Sequence, residues 1–418
     1  MLQWKFKILE KNKHNSHIYF MKGGIYMTIF IICAILMCEV FGAFSGSSEL
    51  YYGKESLSMY SGGYALLDGD TGRVLHGKDE TTPMANASTT KILTCIVTLE
   101  NCSWDEMVTV TANAASQPKV RMEIKEGEEY SLKDMLYGLM LESYNDCAVA
   151  IAEHVAGSTE EFAKMMNKKV IEIGCKDTYF ITPNGLDAED DNGFHHTTAE
   201  DLCKIMAYCT WESPMKEQFL QITQTRNYAS FVNRNAFLNQ MDGVLAGKTG
   251  FTNKAGYCYV AAMERNGEKY CIALLACGWP NNKNYKWKDA KTLFEYGLEN
   301  YDVKKVTVKE LEYQMYLNGY LSKPSFQSIN RSGVLELYSG KQEYQILMAD
   351  DEKIETEVVL YTDTQLPVKQ GQIMGSCNIY LEELLIDSFP LVASENVYIW
   401  GWKDVLYTIF YQFLTFSL

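Results

Sequence analysis

The dipeptide Asn266-Gly267 limits the folds open to this chain more than any other feature. Asn-Gly between two apolar runs is a strong signal for a type I′ hairpin, because that turn matches the twist of its strands. The runs here are Gly256 to Met263 and Lys269 to Gly278. Counting back from the turn pairs Ala262 with Cys271 and Cys258 with Leu275, so Cys258, Cys271 and Cys277 should share one face. Diagonal neighbours in such a ladder stand roughly 7–8 Å apart, too far for an easy disulfide. These cysteines are therefore expected to be small buried hydrophobes. A second hairpin is expected where Gly63 to Asp68 and Arg73 to Gly77 flank Gly69-Asp70-Thr71-Gly72. The single Asp-Thr-Gly in that turn is a turn sequence, not one half of an aspartic protease site.

Helical periodicity fills the middle of the chain. Ser88 to Glu100 places Ile92, Leu93, Ile96, Val97 and Leu99 on an apolar side. Ser131 to Ala156 reads as two helical pieces joined around Ser143-Tyr144-Asn145-Asp146. Thr197 through Glu200 fits a capping box opening another helix. A strand ending at Gly247-Lys248-Thr249-Gly250 leads into the hairpin, and a helix follows from about Lys286 to Glu299. Strands at both ends with helices between predict a mixed α/β (α+β) domain, a mainly antiparallel sheet flanked by helices, over residues 46–302. From Val303 short strand-like runs alternate with turns: Val334 to Leu337, Tyr344 to Met348, Glu357 to Tyr361, Asn378 to Leu385 and Pro390 to Ala393. They predict a small all-β domain over 303–395.

Both ends of the chain bear on a membrane. Lysines precede a mostly apolar stretch, Met27 to Phe44, and small residues follow it, which is the plan of a removable signal peptide over 1–45. Met21-Lys22 would make a more usual start than Met1. Residues 397–418 are largely apolar and aromatic, with Asp404, Thr408, Gln412 and Thr415 on one narrow helical stripe. The charge-free part, Val405 to Leu418, would be about 21 Å long as a helix, short of the roughly 30 Å hydrocarbon core. An amphipathic anchor lying in the membrane surface is expected, with a spanning helix second.

The formal net charge of −15 provides no basic excess to replace phosphate counterions, so nucleic acid is not an expected partner. It also disfavours electrostatic adhesion to anionic lipid. Twelve cysteines would suit a disulfide framework in an exported chain. Read instead as free thiols, they point to a low-oxygen habitat.

The candidate chemistry lies in three short motifs. In Ser88-Thr89-Thr90-Lys91 the lysine sits three residues after a serine at a helix start, where both share one face. A serine hydroxyl is a poor nucleophile until a base takes its proton, and a helix start also offers N–H groups to developing negative charge. Alone the motif is weak: Ser116 with Lys119 and Ser213 with Lys216 match it equally, and both fit loop or surface positions better. Ser143-Tyr144-Asn145 is as weak, since Ser328 with Asn330 and Ser394 with Asn396 also match. Lys248-Thr249-Gly250 occurs once; lysine and threonine there can bind a carboxylate, and glycine lets a substrate backbone lie close.

In that order the three form the S-x-x-K, S-x-N, K-T-G set of penicillin-binding proteins and serine β-lactamases. The chain resembles the low-molecular-mass penicillin-binding proteins of the D-alanyl-D-alanine carboxypeptidase family. Pro83 to Lys91, Ser143 to Ala148, Thr182-Pro183-Asn184-Gly185-Leu186 and Asp242-Gly243 carry the resemblance, and Gly371 to Gly375 extends it into the β module. It implies a β-lactamase/transpeptidase-like fold and hydrolysis of the bond between the two terminal D-alanines of a peptidoglycan stem peptide. By the same resemblance Ser88 is the nucleophile, Lys91 its base and Ser143 a proton relay. Asn145 positions substrate and Lys91, while Lys248 and Thr249 hold the terminal carboxylate beside Gly250. Backbone N–H groups of Ser88 and Phe251 form the oxyanion hole. No metal or cofactor is implied; His195-His196 has no partner motif and no H-E-x-x-H occurs. β-Lactam antibiotics become expected inhibitors, and the outer face of the cytoplasmic membrane the expected location.

Two departures stand out. Tyr144 occupies a place where family members often have glycine, and Leu245-Ala246 lengthens the approach to Lys248. A class A β-lactamase would need a Glu-x-x-Leu-Asn type loop between Ser143 and Lys248, and none is found. A non-catalytic wall-binding or β-lactam-binding module is the other alternative, against which stands the retention of every reactive residue.

Overall fold

The structure is a computed structural model that describes residues 57–308, 312–317, 333–340, 342–361, 365–399 and 401–415. The expected signal peptide over 1–45 and the decoy Ser328 with Asn330 lie outside the described residues.

The predicted hairpins form the framework. Strands β1 (Gly63–Asp68) and β2 (Val74–Lys78) pair with β3 (Val244–Thr252), β4 (Gly256–Arg265) and β5 (Glu268–Leu275) in one antiparallel sheet of order β2-β1-β5-β4-β3. Ala262 pairs with Cys271, the register counted from Asn266-Gly267. Side chains alternate across the sheet with period two. Ala65, Leu67, Val260, Ala262, Cys271 and Ala273 enter one core, and Tyr64, Leu66, Tyr259, Ala261, Ile272 and Leu274 the other. Cys277 departs from expectation. Ala276 takes a left-handed conformation (φ 50°), which breaks the alternation and sends Cys277 to the opposite face from Cys258 and Cys271.

Helices α1 (Lys91–Asn101), α2 (Leu132–Tyr137), α3 (Asn145–Ala156), α4 (Thr159–Ile173), α5 (Ala199–Ala207) and α6 (Lys216–Gln224) contribute to the first core. Helix α7 (Tyr285–Asn300) covers the second with Ala290, Leu293 and Phe294. The predicted capping box is off by one residue: Thr198, not Thr197, caps α5 by accepting from Asp201 N at 3.0 Å. Thr197 instead shares a hydrogen bond with Thr178 (2.7 Å). The strand carrying Lys248-Thr249-Gly250 also runs on through Thr252, because Gly256 and Tyr257 of β4 continue the pairing.

After α7 the chain becomes all-β. Strands β6 (Asp302–Val308) and β9 (Gln342–Met348) form a ribbon. Strands β7 (Glu312–Leu317), β8 (Gly333–Tyr338), β10 (Ile354–Leu360), β11 (Ile373–Leu381) and β12 (Leu384–Ala393) form a sheet of order β7-β8-β12-β11-β10. The run Asn378 to Leu385, read as one strand, is divided by a turn at Glu382, whose φ is 52°. Leu335, Leu337, Met374, Cys377, Ile379, Phe389 and Leu391 fill the core of this module. The final helix α8 (Trp402–Thr415) begins later than residue 397, since Val397 pairs with Val368 in a β-bridge.

Arg73 ties the β1–β2 turn to the β module. Its guanidinium pairs with Glu352 through both terminal nitrogens and donates to Leu347 O at 3.0 Å, while Glu352 also accepts from Ala349 N. Both side chains are largely buried, and removing one member of such a pair leaves the other charge stranded. Arg73→Ala should therefore cost about 3 kcal/mol in chemical denaturation. Cleavage within 302–393 by a protease under native conditions should quicken alongside it.

Candidate active site

The turn before α1 places Ser88. Residues Ala87–Thr90 form a single 3-10 turn, and Ala87 holds a left-handed conformation (φ 49°) that a side chain disfavours. Three contacts hold this turn. Thr90 Oγ1 donates to Ala87 O (2.9 Å) and accepts from Asn86 Nδ2 (3.0 Å). His195 Nε2 lies 2.9 Å from the same hydroxyl, and His195 Nδ1 accepts from Ile181 N at 3.0 Å. With Nδ1 an acceptor, Nε2 carries the proton and donates to Thr90. Gly185 (φ 77°) presses from the other side: a Cβ there would stand 2.0 Å from Ala87 O.

Lys91, the first residue of α1, is fully buried. Its Nζ lies 2.8 Å from Ser88 Oγ, 2.9 Å from Asn145 Oδ1 and 2.5 Å from Asn184 O. Burial, with the positive charge of Lys248 nearby, holds its ammonium well below the usual lysine range. A neutral amine has two N–H groups and one lone pair. Two carbonyl oxygens take the N–H groups, which leaves the lone pair for the Ser88 hydroxyl. The carbonyl of Asn145 faces Lys91 because its Nδ2 donates to Pro118 O (3.2 Å).

The second motif sits where α2 ends in a π-helical turn, Gly138–Glu142, and Ser143 turns left-handed (φ 67°) before α3. Asp146, in the first turn of α3, accepts from Met122 N, Glu123 N and Cys147 N, which ties the 117–124 segment to this helix start. Gln117 in that segment accepts from Asn184 Nδ2 (3.1 Å). Tyr144 rests its ring on Gly138 and packs edge-on to Phe231.

Strand β3 completes the group. Lys248 Nζ donates to Ser143 Oγ (2.9 Å) and Thr249 O (2.9 Å). Burial first, then the nearby Arg234 guanidinium, pull the Lys248 ammonium down to about 7. Arg234 is itself held by Glu142 at 2.7 Å. Gly250 crosses the serine turn so closely that a Cβ would lie 2.9 Å from Asn86 O and 3.0 Å from Ser88 N. Phe251 follows, partly exposed, opposite Tyr257. The extra length before Lys248 is absorbed as a bulge: Ala262 pairs with Ala246 and Met263 with Val244, so Leu245 is skipped.

The structure thus joins Ser88, Lys91 and Asn145 in one hydrogen-bonded set and Ser143 with Lys248 in a second, near enough for the two lysines to repel, with Thr249, Gly250 and Phe251 continuing the strand of Lys248. It leaves the decoys apart. Ser116 is exposed and donates to Asn113 O. Ser213 lies buried in the loop before α6 and donates to Glu100 (2.6 Å), while Lys216 donates to Trp211 O. Sequence reasoning missed His195, Arg234 and the backbone oxygen of Asn184. The Thr182 to Leu186 motif could have pointed to Asn184; no local pattern marks the other two.

An antiparallel sheet flanked by helices, with a serine, a buried lysine and a K-T-G strand at its edge, defines a serine hydrolase of the β-lactamase/transpeptidase-like class. The family model for D-alanyl-D-alanine carboxypeptidase matches residues 52–276. D-alanyl-D-alanine carboxypeptidase DacF of Bacillus subtilis is 28% identical over 354 residues, covering 79% of this chain and 84% of that protein. DacB2 of Mycobacterium tuberculosis is 30% identical over 238 residues, or 56% of this chain and 81% of that protein. Among solved structures, penicillin binding protein 5 of Haemophilus influenzae aligns with a TM-score of 0.64 and 23% identity, over 83% of this chain and 100% of its own. The chain belongs to the D-alanyl-D-alanine carboxypeptidase family and is a serine-type peptidase.

His195 gives the site a pH-dependent support. Burial holds its imidazolium down to about 3, against 6.5 for the free side chain. The folded state thus refuses a proton that the unfolded chain accepts below 6.5. Its contribution is fully present above 6.5 and is lost as pH falls toward 3, by about 1.4 kcal/mol per unit. His195→Gln should lower stability at pH 7.5 and flatten the decline between pH 6.5 and 4, as read from urea midpoints across pH.

Proposed function

We propose that the chain removes the terminal D-alanine from peptidoglycan stem pentapeptides through an acyl-enzyme on Ser88, and that β-lactams acylate the same oxygen. The observation that carries this reading is the buried Nζ of Lys91 held 2.8 Å from Ser88 Oγ, with two carbonyl oxygens placed to take its N–H groups. Lys91 takes the Ser88 proton as Oγ attacks the carbonyl carbon between the two D-alanines. Backbone N–H groups of Ser88 and Phe251 receive the oxyanion. The proton reaches the leaving D-alanine amine through Ser143, which Lys248 holds at 2.9 Å. Lys248 and Thr249, aided by the positive charge of Arg234, bind the terminal carboxylate, and Asn145 orders the acyl side. Water then attacks the ester, and its proton returns by the same groups.

Ser88→Ala should abolish both penicillin labelling and D-alanine release from a pentapeptide, the latter by at least about 10⁴-fold. Release that survives this change would sink the mechanism. Fast turnover of a cephalosporin by the wild type would instead favour the β-lactamase alternative. The two lysines should also shape the pH profile. Acylation needs Lys91 neutral and, for carboxylate binding, Lys248 charged. kcat/KM should rise with pH as Lys91 loses its proton and fall above about 7 as Lys248 loses its own. Because the lysines are coupled, the two limbs belong to the pair.

For location, we infer attachment to the outer face of the cytoplasmic membrane by α8, with 302–393 as a spacer. The supporting observation is that Trp402, Tyr407, Phe410 and Phe413 are all exposed on this helix. No described helix is long and apolar enough to cross a membrane, which favours the interfacial arrangement. Deleting residues 402–415 should move the protein from the membrane pellet to the supernatant without loss of penicillin labelling. Retention in the pellet would reject the anchor.

A further inference from the structure

Away from the serine, three side chains of different chemistry converge at the far ends of α1 and α3. Cys102 closes α1, Glu106 follows on the next turn, and His154 lies in the last turn of α3. Their ligating atoms, a thiol sulfur, a carboxylate oxygen and an imidazole nitrogen, all lie within 4.8 Å of one another. His154 Nε2 stands 3.0 Å from Glu106 Oε2.

The backbone holds this arrangement. Cys102 N–H donates to Thr98 O, which fixes the sulfur at the helix end. Ser103 N donates to Glu106 Oε1 at 2.8 Å and Glu106 N to Ser103 O at 3.1 Å, so the turn aims the carboxylate before any partner arrives. Leu132 N donates to Glu106 O and Lys133 N to Trp104 O, pinning the same turn to the start of α2. A lone surface pair of His154 and Glu106 would contribute little to stability. The thiol beside them is what an ion pair does not need.

We propose that Cys102, Glu106 and His154 bind a divalent metal ion of the Zn²⁺ type. Sulfur, imidazole and carboxylate donors suit Zn²⁺ better than Ca²⁺ or Mg²⁺, which take oxygen ligands. Three protein ligands leave a fourth tetrahedral position for water. An open position is shared with catalytic zinc sites, but the distance of this one from Ser88 gives it a bracing role. Helix α1 carries Lys91 at its opposite end, about 16 Å from Cys102, and α3 carries Asn145 at its own, about 13 Å from His154, at 1.5 Å per residue. An ion joining the C-terminal ends of the two helices fixes the pair whose N-terminal ends meet at the serine.

The test uses the full chain, reduced and stripped with chelator, with Zn²⁺ and Co²⁺ as probes. Zn²⁺ should raise the melting temperature, and Co²⁺ should produce a thiolate-to-metal charge-transfer absorption. Cys102→Ser should remove that absorption and weaken Zn²⁺ binding more than about tenfold, while metal-free D-alanine release stays at the wild-type level. Cys175→Ser, which alters the other half-buried thiol among the described residues, should leave the absorption in place. The proposal is overturned if Co²⁺ gives no charge-transfer band, or if the band and the Zn²⁺ stabilisation survive Cys102→Ser. His154→Ala gives an independent readout: loss of Zn²⁺ affinity supports the site, and unchanged affinity rejects it.

Discussion

Everything in the catalytic region depends on one buried amine without a buried carboxylate beside it as partner. Lys91 lies among hydroxyl and carbonyl oxygens and near a second lysine, and the more weakly felt charge of Asp146 does not offset the removal of its own charge from water. The chain resolves this by favouring the neutral form of Lys91. Neutrality is also what makes it a base. The interior that stabilises the domain and the chemistry at its edge therefore place the same demand on one side chain.

That demand explains how the surrounding elements are used. Asn145 and Asn184 supply the two acceptors, and each is fixed by the 117–124 segment, which Asp146 fastens to α3. Gly185 and Gly250 approach the serine turn from two directions, each so near that a Cβ would collide with backbone. The turn has little room to move, so Ser88 is aimed by its neighbours' backbone rather than by its own side-chain preference.

Much of this was legible in the chain, for identifiable reasons. The Asn266-Gly267 turn set the register of β4 on β5, with Ala262 opposite Cys271 as counted. Three motifs in order separated Ser88 from Ser116 and Ser213, which no single motif could do. What escaped were contacts with no local pattern. His195 was read as a histidine without a partner motif, and its partner proved to be a threonine hydroxyl 105 positions away. Arg234 reaches the site through Glu142, on another element entirely. The error over Cys277 arose from a single left-handed residue, Ala276, since strict alternation fails wherever the backbone leaves the strand. The one-residue slip at Thr198 is the usual uncertainty of helix ends, settled by which hydroxyl reaches Asp201 N.

The cysteines carry a last consequence. The ten within the described residues are free, and eight of those are buried. Burial drives the thiols of Cys147, Cys203, Cys209 and Cys271 far above their ordinary range. Exchange and oxidation proceed through the thiolate, so these sulfurs are shielded kinetically even where the surroundings are oxidising. Their number therefore says nothing about oxygen in the habitat. It records how often the core needed a side chain slightly larger than alanine, and the fold itself is what keeps such residues chemically silent.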